Sequence, residues 1–455
     1  MISKKMKWWI LLVTTSGTSL VFLDNTILPV ALPTIQNELG LSETGLVWIV
    51  NAYLLSLTAL LLVGGRLSDL FGKRFLFMSG LFLFGAGSLL GGLSTTHWLL
   101  LASRVLQGIG GALMIPATGA LLISAFSEGE RAKALGINTG ISSIFLILGP
   151  ALGGFLTEYI SWRSIFFINI PLVIFGMAMA ARLLQAEKRK KEPFHVTGAL
   201  AMLFGVVMFV VGLMQANEWG WSTPATLTLL LLGPFFIGLF VWCSLRVPFP
   251  IIDFNFFRNS LFTAASLSLF ISQLIVMVTV LWAIYFQQHL HFSAVTTGIL
   301  IFIATLPVFL IAPLGGYFAD RFGPRSPMLA GFTILTFALF WLLFTVAKQN
   351  IFLMLPGLLG FGFGLPMIMS PTVALALTEV DPAKLGAASG ITTEMRQLAS
   401  TTGIAMMTAV YQGIVKVTGS HVEGFSAIST LAALLSILGF LVVLFMIKKS
   451  QLCKA

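Results

Sequence analysis

The chain has 455 residues, 57% of them hydrophobic and only 9% charged, with a formal net charge of +10. A soluble domain carries about 25% charged residues, so this chain cannot cover a water-facing surface and reads as a polytopic membrane protein. Its basic residues are scattered among short segments between apolar stretches, which argues against a nucleic-acid partner, and Cys243 and Cys453 make neither a disulfide framework nor a metal spacing.

Fourteen apolar stretches are long enough to cross a bilayer, which takes about 20 helical residues for about 30 Å of hydrocarbon. They cover 8–33, 45–66, 74–93, 97–122, 132–157, 164–184, 195–214, 225–246, 260–287, 294–318, 327–347, 351–378, 386–412 and 426–447. The runs are continuous rather than alternating, so they predict helices and not barrel strands. The opening "MISKKMKWWILLV" has the basic start and apolar core of a signal peptide, but no small-x-small site follows it before Asp24, and a first spanning helix is expected.

The first stretch carries "LDNTILPVALP" at 23–33. Asp24 within it costs about 2.5–3.5 kcal/mol at a bilayer centre, so something must compensate for it or use it. It sits about 24 Å along a helix from Trp8, in the outer half of the membrane. Gly17 and Ala31 share its face, which should pack on protein or line a cavity. Away from water the neutral form of a carboxyl is favoured, so Asp24 is a candidate proton carrier. The alternative is a structural acid bonded to Asn25 or Thr26, or one near the outer interface.

Between stretches two and three lies "GGRLSDLFGKR" at 64–74, and between ten and eleven "GGYFADRFGPR" at 315–325. Both keep Gly-Gly, Asp, Gly and Arg at matching spacing. A repeat of this kind marks a transporter built of two similar halves. It divides the chain into a six-helix bundle over 1–186, a cytoplasmic linker with two inserted helices over 187–258, and a second six-helix bundle with its tail over 259–455. Gly65 and Gly72 are expected to let the helix ends turn. Asp69 can face a helix amino terminus, and Arg74 can bind carbonyls or Asp69. With Asp320 and Arg325 of the second copy they form a candidate conformational latch. A plain turn with anchoring charges is the alternative.

Arg104 lies about 9 Å into the fourth stretch, deep enough to meet Asp24. Separating the two would change the proton affinity of the acid; snorkelling of Arg104 to the surface is the alternative. The fifth stretch has glycines at 136, 140, 149, 153 and 154 around Pro150. Two GxxxG pairs permit close helix contact and the proline favours a bend, so Gly149, Pro150, Gly153 and Gly154 form a candidate gate, with ordinary packing as its rival. "EKRKK" at 187–191 reads as an anchor, and "HLH" at 289–291 alone makes no metal site. Glu394 lies about 12 Å into the thirteenth stretch, on the face of Gly386 and Gly390. It either assists cation or proton binding or pairs structurally with a basic residue.

With the amino terminus inside, cytoplasmic segments hold most of the lysines and arginines, and outer segments only Arg163, Lys348 and Lys416. This asymmetry places both termini in the cytoplasm.

These residues resemble the major facilitator superfamily along the whole chain. "GGRLSDLFGKR" is similar to its motif A, "RVLQGIGGA" at 104–112 to motif B, and "GINTGISSIFLILGPALGG" at 136–154 to motif C, the antiporter signature. "LDNTILPVALP", "WRSIFFINIP" at 162–171 and "RQLASTTGIA" at 396–405 resemble the fourteen-helix drug:proton antiporter branch. Leu70, Pro29, Ala399 and Ser400 depart from the pattern. The resemblance implies an all-α membrane protein with the major facilitator fold: two six-helix bundles plus two additional transmembrane helices. It also implies coupling through Asp24 and Arg104, a motif C gate sealing the outer side, and proton-coupled export of amphipathic, cationic compounds by alternating access. No nucleophile, metal set or ATP-binding loop is found, so neither an enzyme nor a cofactor is expected. The expected partners are a small-molecule substrate, protons and the lipid bilayer. The expected setting is the cell inner membrane, as a monomer or with a periplasmic adaptor. A dedicated exporter of a metabolite, siderophore or lipid is the alternative on the same fold; a non-transporting sensor or a pore fits the two similar halves less well.

Overall fold

The computed structural model describes residues 4–185, 195–247, 252–348, 350–378, 380 and 385–447. The run at 187–191, Lys384 and the tail with Cys453 lie outside them. Fourteen helices among the described residues are long and apolar enough to span a membrane. They are α1 (Lys5–Leu39), α2 (Glu43–Phe71), α3 (Lys73–Gly92), α4 (His97–Ala125), α5 (Lys133–Tyr159), α6 (Ser164–Leu183) and α7 (Val196–Trp219). Then follow α8 (Pro224–Arg246), α9 (Ser260–Gln288), α10 (Ala294–Ala319), α11 (Arg325–Val346), α12 (Ile351–Ala376), α13 (Ala388–Thr418) and α14 (His421–Met446). This is the span count the apolar runs predict. A helix bonds its own backbone, which hydrocarbon requires.

Three helices differ from expectation in detail. α1 extends past the apolar window at both ends, because the polar residues there continue the helical ladder. α6 is interrupted at Ile168; Pro171 has no N–H for the carbonyl of Phe167, and its ring crowds that carbonyl. α9 is interrupted at Met277, where Met277 N bonds to Leu274 O at 3.3 Å in a tight three-residue turn. No proline or glycine marks that break in the sequence.

The described chain divides into two compact units. The first comprises Met1–Met208, Gly233–Ile251 and Ser293–Ile299. Its helices meet through glycines. A Cβ at Gly110 of α4 would lie 2.6 Å from Phe84 N and 2.7 Å from Gly80 O of α3. A Cβ at Gly108, on another face of α4, would lie 2.5 Å from Tyr53 O of α2. Backbone approach this close is the small-residue packing of membrane helices. Around it Val13, Leu20, Phe77, Phe84 and Leu100 are fully buried.

The second unit comprises Phe209–Leu232, Ile252–Phe292 and Leu300–Ala455. It repeats the device: Gly331 of α11 and Gly364 of α12 face each other, each Cβ position 2.8–2.9 Å from the other's carbonyl oxygen. Gly331 follows Gly323 at the same interval as Gly80 follows Gly72, so the repeat read in the loops continues into the packing. Polar ties supplement it. Gln273 Nε2 of α9 donates to Ser400 Oγ of α13 at 3.0 Å, and Thr336 Oγ1 of α11 donates to Ser436 Oγ of α14 at 2.9 Å.

Gly110→Val should therefore overpack the α3–α4 contact and cost about 1–3 kcal/mol, seen as a lower thermal midpoint of the purified protein. Gly136→Ala in α5, where a Cβ meets nothing within 4 Å, should leave that midpoint in place.

Candidate functional site

Five helices of the first unit build one buried polar cluster. α1 supplies Asp24. α4 supplies Arg104 and Gln107, three residues apart and so on one face. Arg104 Nη1 donates to Asp24 Oδ1 at 2.9 Å and Oδ2 at 2.8 Å, and to Gln107 Oε1 at 2.6 Å. Gln107 Nε2 donates onward to Asp24 Oδ1 at 3.2 Å and to Ser88 Oγ of α3 at 2.9 Å. Asn169 Nδ2 of α6 reaches the same Ser88 hydroxyl at 3.2 Å. From α2, Ile49 O accepts from Arg104 Nε at 3.1 Å, and the Tyr53 ring lies 4.5 Å from the guanidinium carbon.

The cluster is dry. Asp24 is 3% exposed and Arg104 1%. Taking each ion out of water costs several kcal/mol, which the pair's attraction repays only when the remaining polar atoms are also bonded. Gln107 completes that set by bridging both charges. The structure thus brings Asp24 and Arg104 together as the depth estimate predicts. It does not bond Asp24 to Asn25 or Thr26: Thr26 Oγ1 donates instead to Leu146 O of α5 at 2.8 Å. Gln107, Ser88 and Asn169 were not foreseen. Gln107 could have been found, because it follows Arg104 by one turn; Asn169 lies within "WRSIFFINIP" but carries no charge to draw notice.

The candidate latch residues take two parallel positions. Gly72, between α2 and α3, has φ of +96°, and its counterpart Gly323 has +75°. Arg74 Nη2 donates to Ala181 O, near the end of α6, at 3.0 Å. Arg325 Nη2 donates to Leu444 O, near the end of α14, also at 3.0 Å. The carbonyl option is the one realised for Arg74, while Asp69 lies 4.0 Å from Arg66. Gly65 corrects the expectation of a turn: it lies inside α2, a turn and a half before the loop. The side chain of Asp320 lies outside the described residues.

In α5 the two GxxxG pairs behave differently. A Cβ at Gly153 would run into Ile27 O of α1 and one at Gly149 into Thr26, whereas Gly136 and Gly140 have nothing within 4 Å. Further along, a Cβ at Gly154 would lie 2.5 Å from Ala294 O, and Gly298 packs on Pro150 O. Glu158 caps the start of α10 by accepting from Val295 N at 2.8 Å. In the second unit Glu394 is fully buried, and neither carboxylate oxygen has a hydrogen-bond partner among the described residues.

Comparison with known proteins bears on this site. The family model for the Major Facilitator Superfamily matches residues 14–404, and in a second match 261–452. Multidrug resistance protein Stp of Mycobacterium tuberculosis (strain CDC 1551 / Oshkosh) is 31% identical, covering 88% of this chain and 75% of its own. Puromycin resistance protein pur8 of Streptomyces alboniger is 32% identical, covering 90% and 82%. Riboflavin transporter RibZ of Clostridioides difficile (strain 630) is 29% identical, covering 98% and 99%.

Removing one charge of the pair strands the other. Arg104→Met should cost about 3–5 kcal/mol, and adding Asp24→Asn should restore most of it. Thermal denaturation of both variants measures this coupling.

Proposed function

The chain belongs to the major facilitator superfamily and is a multi-pass membrane transporter of small molecules, and on that premise we propose that it is a proton-coupled antiporter exporting amphipathic, cationic compounds by alternating access. One observation carries the proposal: a carboxylate with a single cationic partner, both out of water, in the middle of a spanning bundle. A proton arriving at Asp24 cancels its charge and removes most of what holds Arg104 to it. The two can then separate without exposing a bare ion to a dry environment. Deprotonation restores the pair. Proton affinity and helix position are thereby linked.

The driving force is the proton gradient, worth about 2.3 kcal/mol per charge per 100 mV of potential. Arg74 and Arg325, with Asp69, Asp320 and Gly72, act as latches at the cytoplasmic ends of the helices. Gly149, Pro150, Gly153 and Gly154 act as the gate on the outer side. Glu394 serves as a second intramembrane acid for the cation or proton, which fits a buried carboxylate without a described partner. The bundles correspond to residues 1–186 and 259–455, with the linker and two inserted helices at 187–258. The protein works in the cell inner membrane with both termini cytoplasmic, as a monomer or with a periplasmic adaptor. The drug-resistance names of two relatives support the substrate class.

A second reading, a carrier dedicated to one metabolite, is favoured by the relative named as a riboflavin transporter, which aligns over nearly its full length.

Proteoliposomes with an imposed pH gradient test both readings. Ethidium should move only with the gradient, and Asp24→Asn should slow it at least tenfold while the protein stays folded. An unchanged rate in Asp24→Asn removes the acid from the mechanism, and movement without a gradient indicates a pore. Riboflavin moving in place of ethidium selects the second reading.

A further inference from the structure

A groove of about 580 Å³ runs down the exposed face of α3 from its first turn. Phe71, Arg74, Phe75, Met78, Phe82 and Leu83 line it. Phe75, Met78 and Phe82 recur every three or four residues, on one helix face. Phe75 and Phe82 stand out from the helix, 56% and 60% exposed. At the turn the Phe71 and Phe75 ring centroids lie 6.5 Å apart. Leu83 lies about 15 Å along the helix from Lys73. That is half of the hydrocarbon thickness of about 30 Å, the depth of one leaflet.

The mouth of the groove is basic. Arg74 Nη2 donates to Ala181 O at 3.0 Å. Its Nη1 and Nε make no hydrogen bond among the described residues. Arg182 follows Ala181 on α6; it is exposed and has no hydrogen bond or ion pair among the described residues. The neighbouring acid, Asp69, lies 4.0 Å from Arg66. A guanidinium fork matches the oxygens of a phosphate. Two cations above an apolar groove repel a cationic amphipath and attract an anionic one.

The second copy of the repeat is an internal control. The register that matches Gly72 with Gly323 and Arg74 with Arg325 puts Ser326 in the place of Phe75 and Thr333 in that of Phe82. Both are exposed. The turn and its arginine contact form there without the aromatic walls. The walls are therefore not needed for the turn, and another reason for them is required.

We infer that the groove binds one phospholipid with an anionic headgroup. The phosphate takes the remaining donors of Arg74 and Arg182, and an acyl chain lies along Phe75, Met78 and Phe82. By bridging an arginine of α3 and one of α6, the headgroup braces the contact between Arg74 and Ala181. The leaflet rests on the topology proposed above, which puts this end of α3 at the cytoplasmic face, where anionic lipids concentrate. The chemistry of the site does not depend on it.

Native mass spectrometry of the full chain in neutral detergent, with no gradient and no cargo, tests this. The probes are dioleoylphosphatidylglycerol, dioleoylphosphatidylcholine, and glycerol phosphate without chains. Wild type should hold phosphatidylglycerol at least about fivefold more tightly than phosphatidylcholine. Arg182→Gln, which leaves the Arg74 contact in place, should lose about fivefold of the phosphatidylglycerol affinity. Phe75→Ser with Phe82→Thr installs the pair that the second copy carries, and should lose at least about tenfold. Equal affinity of wild type for the two lipids, or wild-type affinity for phosphatidylglycerol in either variant, overturns the inference. So does displacement of the lipid by glycerol phosphate at equal concentration, which marks an anion site only. Arg182 is exposed, so its variant keeps the test decisive if the aromatic pair unfolds. None of these readouts involves Asp24 or a gradient, so this inference and the proposed function fail separately.

Discussion

A carboxylate and a guanidinium share a space that water does not fill, and neither can remain there without the other. Much of the first unit is arranged around that constraint. Arg104 and Gln107 reach Asp24 only because α4 lies almost on the backbone of α2 and α3. A Cβ at Gly87 of α3 would stand 2.8 Å from Ser103 O and 2.9 Å from Gln107 Cγ, so the missing methyl is what lets Gln107 sit between Asp24 and Ser88. On the other face, Gly108 brings α4 onto the carbonyl of Tyr53, which sets that ring against Arg104. The small residues that look like mere packing in the sequence therefore decide whether the charges are satisfied. Packing and site are one piece of physics here.

The two units share a scaffold and differ in what they bury. In each, a glycine in the left-handed region turns the chain, and an arginine two residues on binds a carbonyl near the end of another helix. A cation beside a helix carboxyl terminus is favourable by about 0.3–1 kcal/mol, strong enough to orient and weak enough to break. The interiors are not duplicated. The first unit holds an ion pair with its hydrogen bonds nearly complete; the second holds Glu394 without a described partner. The repeat thus preserves the turn and its arginine contact and leaves each half free to carry its own charge arrangement.

What could be read in the sequence follows from how costly each feature is. Hydrocarbon tolerates almost nothing but a continuous apolar helix, so all fourteen spans were legible. Asp24 and Arg104 were legible for the same reason: an ion in the membrane must be explained. Gln107, Ser88 and Asn169 were not, because an uncharged polar side chain in a spanning helix is cheap and commonplace. Spacing alone also misplaced Gly65 and left open which GxxxG pair makes a contact. Gly65 is paired with a turn by its neighbours in sequence yet stays inside α2, and Gly136 and Gly140 have the interval of a contact without a partner. A GxxxG interval says that a close approach is permitted; only the neighbouring helix says whether it occurs.

α1 shows how unequal ties divide a motion. At one end Lys7 is paired with Glu130 before α5 at 2.5 Å, and the Lys7 ammonium holds the Glu130 carboxyl below its usual range, so that carboxylate stays ionised. At the other end Glu38 accepts from Arg163 at 2.5 Å and from the Trp162 indole at 2.6 Å. Both end pairs are partly exposed, and such pairs contribute little. The pair between them is buried, and parting it with both charges intact costs several times more. A helix tied this way can loosen at its ends under thermal motion and still be held at the middle. The middle yields cheaply only if one charge is cancelled where it stands. On the proposed function, the weak ends would let α1 follow once the centre is released, and the order of strengths would make protonation the event that comes first.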